Sequence, residues 1–154
     1  ITGYKVLHNH LTIELLCSLF DWGSAPYNTL VKKYRFELLE MAAKYHLPGV
    51  IITLVYGAEA GPQEMRELVL RMKRLHVEVC FVQLNCSKQE LERRVRHHSR
   101  KAFTKIRHVE NLRSFMKKFN VQSTIPVGKN LIIDTTSLSP TTVAQRIITY
   151  FRLV

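Results

Sequence analysis

Short apolar runs alternate with longer amphipathic stretches along this chain. Tyr4-Lys5-Val6-Leu7 reads as a short strand, and 12–20 as a helix with Ile13, Leu16, Leu19 and Phe20 on one side. Gly23-Ser24-Ala25-Pro26 breaks it, and 27–46 then predicts a long helix with a stripe of Leu30, Tyr34, Leu38 and Met41. Pro48-Gly49 stops that helix, 50–56 is a near-continuous apolar strand, and 57–61 is a loop. A helix over 62–76 buries Met65, Leu68, Val69 and Met72, and 77–84 is the next strand. Ser87 caps a further helix, with Glu90 three residues on completing a capping box. A short helix over 109–119 carries Val109, Leu112, Phe115 and Met116, and 130–134 is the last strand. Ser139-Pro140 opens the final helix, lined inside by Val143, Ile147 and Phe151.

Strands apolar nearly throughout, alternating with helices, predict an α/β fold with a parallel sheet flanked by helices on both faces. In such sheets ligands lie beyond the carboxyl ends of the strands. Those ends are His8-Asn9-His10, Tyr56-Gly57, Asn85-Cys86 and Asp134-Thr135-Thr136. No repeat or linker divides the chain, so residues 1–154 read as a single domain.

Charge sharpens this picture. The formal net charge is +11, and residues 88–118 hold eleven Lys or Arg against three acids, an excess of eight positive charges. A field of that sign favours polyanions. Cys17, Cys80 and Cys86 lie inside or beside apolar runs. An odd count without metal-like spacing predicts buried, unbridged thiols and a cytoplasmic or other reducing compartment. No apolar run approaches the roughly 18 residues of a membrane helix, so no membrane partner is expected. The first residues, Ile1-Thr2-Gly3-Tyr4-Lys5, have no signal-peptide anatomy and no initiator Met, which suggests a start internal to a longer chain.

Four segments carry candidate chemistry. His8-Asn9-His10-Leu11-Thr12 groups two imidazoles, a carboxamide and a hydroxyl, enough to orient a small polar substrate or supply a base. The competing reading is a loop whose Asn9 or Thr12 caps the next helix, and a His-x-His pair lacks an obvious third metal ligand. Arg35 interrupts a long helix with no acid three or four residues later, and its fork suits a carboxylate or phosphate. The basic stretch 93–107 could close over nucleotide phosphates or bind an RNA backbone, although Phe103 is its only aromatic. Asp134-Thr135-Thr136-Ser137 either leaves room for a flat purine or is a polar turn. A Walker A loop, G-x-x-x-x-G-K-[ST], is missing from these residues. The sole Gly-Lys, Gly128-Lys129, is followed by Asn130 and precedes a strand instead of opening a helix.

Taken together, 2–12, 47–53, 80–84, 91–95 with Ser99-Arg100-Lys101, and 133–140 resemble the small P-loop kinases of the shikimate-kinase-like and chloramphenicol-phosphotransferase-like type, proteins often described only as AAA-type ATPases. The resemblance implies a nucleoside-monophosphate-kinase-like P-loop fold missing its central first strand, and an ATP-dependent phosphotransferase acting on a small molecule. It implies His8, Asn9, His10, Thr12 and Arg35 at the phosphoryl acceptor. It implies Arg93, Arg96, Arg100 and Lys101 as catalytic cations of a lid over about 93–118. It implies Asp134, Thr135 and Thr136 beside adenine, with ATP and Mg2+ as cofactors. The missing P-loop, and the absence of an Asp in 50–55 for magnesium, lead us to expect weak or absent kinase activity from these residues. Upstream residues, a strand from another chain, or a degenerate relative would each account for the gap. The alternative function is a non-enzymatic module binding RNA or a partner protein through its basic face.

Overall fold

The computed structural model describes residues 1–57, 61–101, 103, 105–119 and 124–153. It is a mixed α/β structure with parallel strand pairs. The chain groups into two compact units, Gly3–Val55 with Leu68–Glu78, and Ile1–Thr2 with Tyr56–Glu67 and Val79–Val154.

In the first unit β1 (Lys5–Leu7) leads into α1 (Asn9–Cys17) and α2 (Ala25–Lys44), and β2 (Val50–Ile52) returns parallel to β1. The register sets Lys5 opposite Val50, Val6 opposite Ile51 and Leu7 opposite Ile52. Gly49 makes the return possible: a Cβ there would lie 2.5 Å from the Tyr4 ring, and its carbonyl accepts from Lys5 N at 3.2 Å. The helix expected from residue 12 begins at Asn9, because the His8 side chain caps it by accepting from His10 N. Pro26 lies in the first turn of α2, where a missing N–H costs nothing, so the proline starts the helix instead of delaying it.

The buried side chains of α1 and α2 are Thr12, Leu16, Tyr27 and Phe36. Leu38, Met41 and Leu19, expected inside, are exposed. Nine-residue α1 packs on twenty-residue α2 and is less than half as long, so it cannot cover the far end of the stripe that holds Leu38 and Met41, and Leu19 lies past the last turn of α1. Phe36 is covered instead by charged groups. The Arg71 guanidinium lies 5.1 Å from its ring centroid and the Lys32 ammonium 5.6 Å, while Arg71 bonds Glu40 at 2.9 Å.

The strand expected over 50–56 stops at Ile52, because β1 offers only three residues to pair with. The loop expected over 57–61 includes 58–60, which lie outside the described residues. Next, α3 (Gly61–Arg74) buries Met65, Leu68 and Met72, as its pattern predicts, with Val69 half-buried. His76 follows with φ of 56°, and Val77 N donates back to Met72 O at 3.0 Å. That bond holds Val77 to the helix end, so the next strand starts later than the expected residue 77.

In the second unit β3 (Cys80–Asn85) and β4 (Lys129–Asp134) pair in parallel over their whole length, Cys80 opposite Lys129 through Asn85 opposite Asp134. Between them run α4 (Lys88–Val95), a 3-10 turn (His98–Lys101) and α5 (Val109–Lys118). Val95, Val109 and Leu112 form a small core with Leu91, Ile106 and Met116 packed against it. Finally α6 (Pro140–Phe151) packs on β4, capped by Ser139 Oγ accepting from Thr142 N at 3.1 Å, with Val143 buried. The Gly128-Lys129 pair is a structural turn: Gly128 has φ of +72°, and a Cβ on it would meet the Phe81 ring at 3.0 Å.

The cysteines are unbridged, as expected, but less buried than expected. Cys17, in the last turn of α1, is exposed, Cys80 and Cys86 at the ends of β3 are half-buried, and none is in a disulfide. Among the described residues no helix is long and apolar enough to cross a membrane.

Candidate functional site

Each unit gathers polar side chains at the carboxyl ends of its own strands. In the first unit the cluster is built on the start of α1. The Asn9 backbone N–H donates to Thr53 Oγ1 at 3.2 Å, and that hydroxyl lies 3.4 Å from Asn9 Oδ1. Thr12 Oγ1 donates to Asn9 O at 2.9 Å and accepts from Arg35 Nε at 3.1 Å. Thr12 is only 3% exposed, so its hydroxyl works as a bracket holding Arg35 to the helix start. His8 Nδ1 accepts from His10 N, which places the proton of the neutral ring on Nε2. The two imidazole centroids are 5.3 Å apart. Tyr27 is buried nearby; burial and then Cys17 push its phenol up, while the positive charge of Arg35 pulls the other way.

This one cluster contains all five residues expected at an acceptor: His8, Asn9, His10, Thr12 and Arg35. It also contains Thr53, which sequence reasoning missed. Its signal was present: a hydroxyl residue interrupts the apolar run 50–56 directly after Val50-Ile51-Ile52.

In the second unit the ends of β3 and β4 are tied by Thr135. Its N–H and Oγ1 both donate to Asn85 O, at 2.8 and 2.9 Å. Arg94 reaches the same residue, donating to Thr135 Oγ1 at 2.9 Å and to Thr135 O at 2.6 Å, while its Nε donates to Glu90 Oε1 at 2.6 Å. Glu90 also accepts two bonds of 2.7 Å from Arg93. The Arg93 and then the Arg94 hydrogen bonds draw the Glu90 carboxyl down to about 2. Ser87 Oγ accepts from Glu90 N at 3.2 Å, as a cap should. The return half of the expected capping box is not made: the carboxylate serves the two arginines, and Ser87 N donates to Thr136 Oγ1 at 2.9 Å. Asp134 accepts from Thr136 Oγ1 and N, which holds its carboxyl below the usual range. Burial pushes the adjacent Cys86 thiol up, against the pull of Arg94.

The chain matches no protein-family model, and no curated protein matches it.

The four cations expected in a lid fall into two pairs. Arg93 is held by Glu90, and Arg100 donates to Ile106 O at 2.7 Å, its pKa lowered by burial. Arg96 and Lys101 are exposed, and among the described residues no carboxylate lies within ion-pair distance of either. Arg94, the residue that ties α4 to β4, was not singled out in the sequence. Its position four residues after Glu90 on a helix was the available clue.

The residues expected beside adenine are engaged within the fold. Thr135, expected beside adenine, is 7% exposed with its hydroxyl, N–H and carbonyl all engaged internally. The Asp134 carboxylate is turned onto Thr136. Gly128-Lys129 leads into β4. Among the described residues no group of three His, Cys, Asp or Glu side chains converges as a metal site.

Proposed function

We propose that this chain is a kinase-like phosphotransferase domain of the small P-loop kinase type, whose own residues bind the phosphoryl acceptor. The observation that carries this is the Arg35–Thr12–Asn9 relay. It brings an arginine from α2 to the carboxyl ends of β1 and β2, where parallel sheets place ligands. A guanidinium anchored through Nε has a set orientation, which suits an anionic group on a small molecule. At the same helix start the Nε2–H of His8 suits a hydroxyl that must be oriented, and the His10 imidazole suits taking its proton. The acceptor class is therefore a small hydroxylated anion.

The parallel pairing within each unit is the feature that favours a nucleoside-monophosphate-kinase-like fold, whose strands run parallel. Arg96 and Lys101 are the cations left to face a transferring phosphoryl group. No transfer step is assigned to these residues alone, because they do not form the nucleotide cradle.

The test is NMR of the histidine ring protons during titration with a hydroxylated cyclic carboxylate, with inorganic phosphate as control. Saturable shifts at His8 and His10 are expected. Arg35→Lys, which keeps the charge and loses the fork, should weaken them roughly tenfold. Shifts that are absent, or unchanged by Arg35→Lys, would sink the proposal.

A further inference from the structure

A groove of about 250 Å³ lies between α4 and α5. Leu112 forms its floor, with half-buried Leu91 and Met116 as walls. All three also belong to the small core around Val95 and Val109, so the groove opens directly onto packed apolar side chains. Lys88, Lys117 and the Glu92–Arg113 pair make its rim. Arg113 grips Glu92 with bonds of 2.8 and 2.9 Å, which neutralises the one carboxylate there. Among the described residues no carboxylate is within ion-pair distance of Lys88 or Lys117.

We propose that this groove is a docking site for an acidic peptide segment that inserts an apolar side chain between α4 and α5. The occupant follows from size and charge. Small-molecule pockets are typically roughly 300–1,000 Å³. This one is smaller and open, suited to a side chain carried by a larger partner. A leucine or phenylalanine placed over Leu112 extends the existing core, and flanking carboxylates meet Lys88 and Lys117. The surrounding stretch, with its excess of eight positive charges over 88–118, draws an acidic chain toward the groove. A nucleic acid would use the same charge, but it brings no aliphatic side chain, and no aromatic ring lines the groove to stack a base. The inference is independent of the acceptor site in the other unit.

The experiment uses the full chain and a short fluorescein-labelled peptide with glutamate at its polar positions and leucine at i, i+4 spacing. Fluorescence anisotropy gives affinity, and the Met116 ε-methyl resonance gives location, with exposed Met41 as the internal control. Saturable binding is expected, with a shift at Met116 and none at Met41. Replacing the leucines by serine should abolish the shift. The double variant Lys88→Glu, Lys117→Glu, two exposed positions whose change should leave the fold intact, should weaken binding by about tenfold or more. No binding, equal binding of the serine peptide, or a Met116 methyl that does not move each overturns the proposal. Oligouridylate that binds more tightly and displaces the peptide would assign the surface to nucleic acid instead.

Discussion

Thr12 and Arg35 are twenty-three residues apart in sequence and joined by a 3.1 Å hydrogen bond, while the threonine hydroxyl donates its own hydrogen bond to the Asn9 carbonyl. One buried hydroxyl thereby fixes a helix start and an arginine together. Thr12→Val keeps the shape and removes both bonds. We expect a loss of about 1–3 kcal/mol in urea unfolding, because Arg35 Nε and the Asn9 carbonyl each lose a partner. Thr12→Ser, which retains the hydroxyl, should recover most of it. A Thr12→Val variant as stable as the parent would mean that the bracket contributes nothing.

Glu90 sets an acid limit on the second unit. Its carboxyl has an ordinary value near 4.5, and the two arginines lower it to about 2 in the folded chain. A depressed carboxyl adds stability that is fully present above the unfolded value and disappears as pH falls through the folded one. The gap in stability between the parent and Glu90→Gln should therefore be complete at pH 6, shrink below about 4.5 and close near 2. Denaturant melts at several pH values measure it, and a gap that does not change with pH would contradict this origin.

Gly128 is needed for two reasons, its φ of +72° and the Phe81 ring, which a Cβ there would meet at 3.0 Å. Gly128→Ala should destabilise by roughly 1–3 kcal/mol, from left-handed strain and a crowded core ring. The opposite change helps elsewhere. His46 and His76 end α2 and α3 with φ of 56°, each followed by a residue whose N–H returns to the helix. Glycine is favoured in that conformation, so His46→Gly and His76→Gly should each gain up to about 1 kcal/mol in thermal or urea melts.

Thiol reactivity should rank the cysteines. Cys17 is exposed, and Cys86 is half-buried with its thiol pushed up. With a disulfide reagent at mildly alkaline pH, Cys17 should react first and Cys86 much more slowly. The single-cysteine variants give these rates directly, and a faster Cys86 would reverse the ranking.

The elements most legible in the sequence were those whose signals are local. Ser87, Ser139-Pro140 and the apolar core of β4 act within a few residues, and the structure uses them as the pattern predicts. Strand lengths were less legible, since they are set by a partner: β2 ends where β1 runs out of residues, and β3 waits until Val77 is released from α3. At the candidate site, the grouping of His8, Asn9, His10 and Thr12 was visible because they lie within five residues at one helix start. Thr53 and Arg94 were not, because their roles depend on where distant backbone arrives: Asn9 for the one, Thr135 for the other. The exposure of Leu38 and Met41 likewise depends on the length of a neighbouring helix, which periodicity within α2 does not encode.

Val6 and Ile51 face each other across β1 and β2, and both are about half uncovered, at 57% and 46%. Greasy strand surface of this kind tends to recruit further copies, and here a net charge of +11 holds the copies apart. That protection works through solvent and weakens as the screening length falls from about 10 Å at 0.1 M salt to 3 Å at 1 M. A concentrated sample should therefore stay clear in dilute buffer and turn cloudy as salt is raised, so that for this chain handling and storage follow from two opposed side chains.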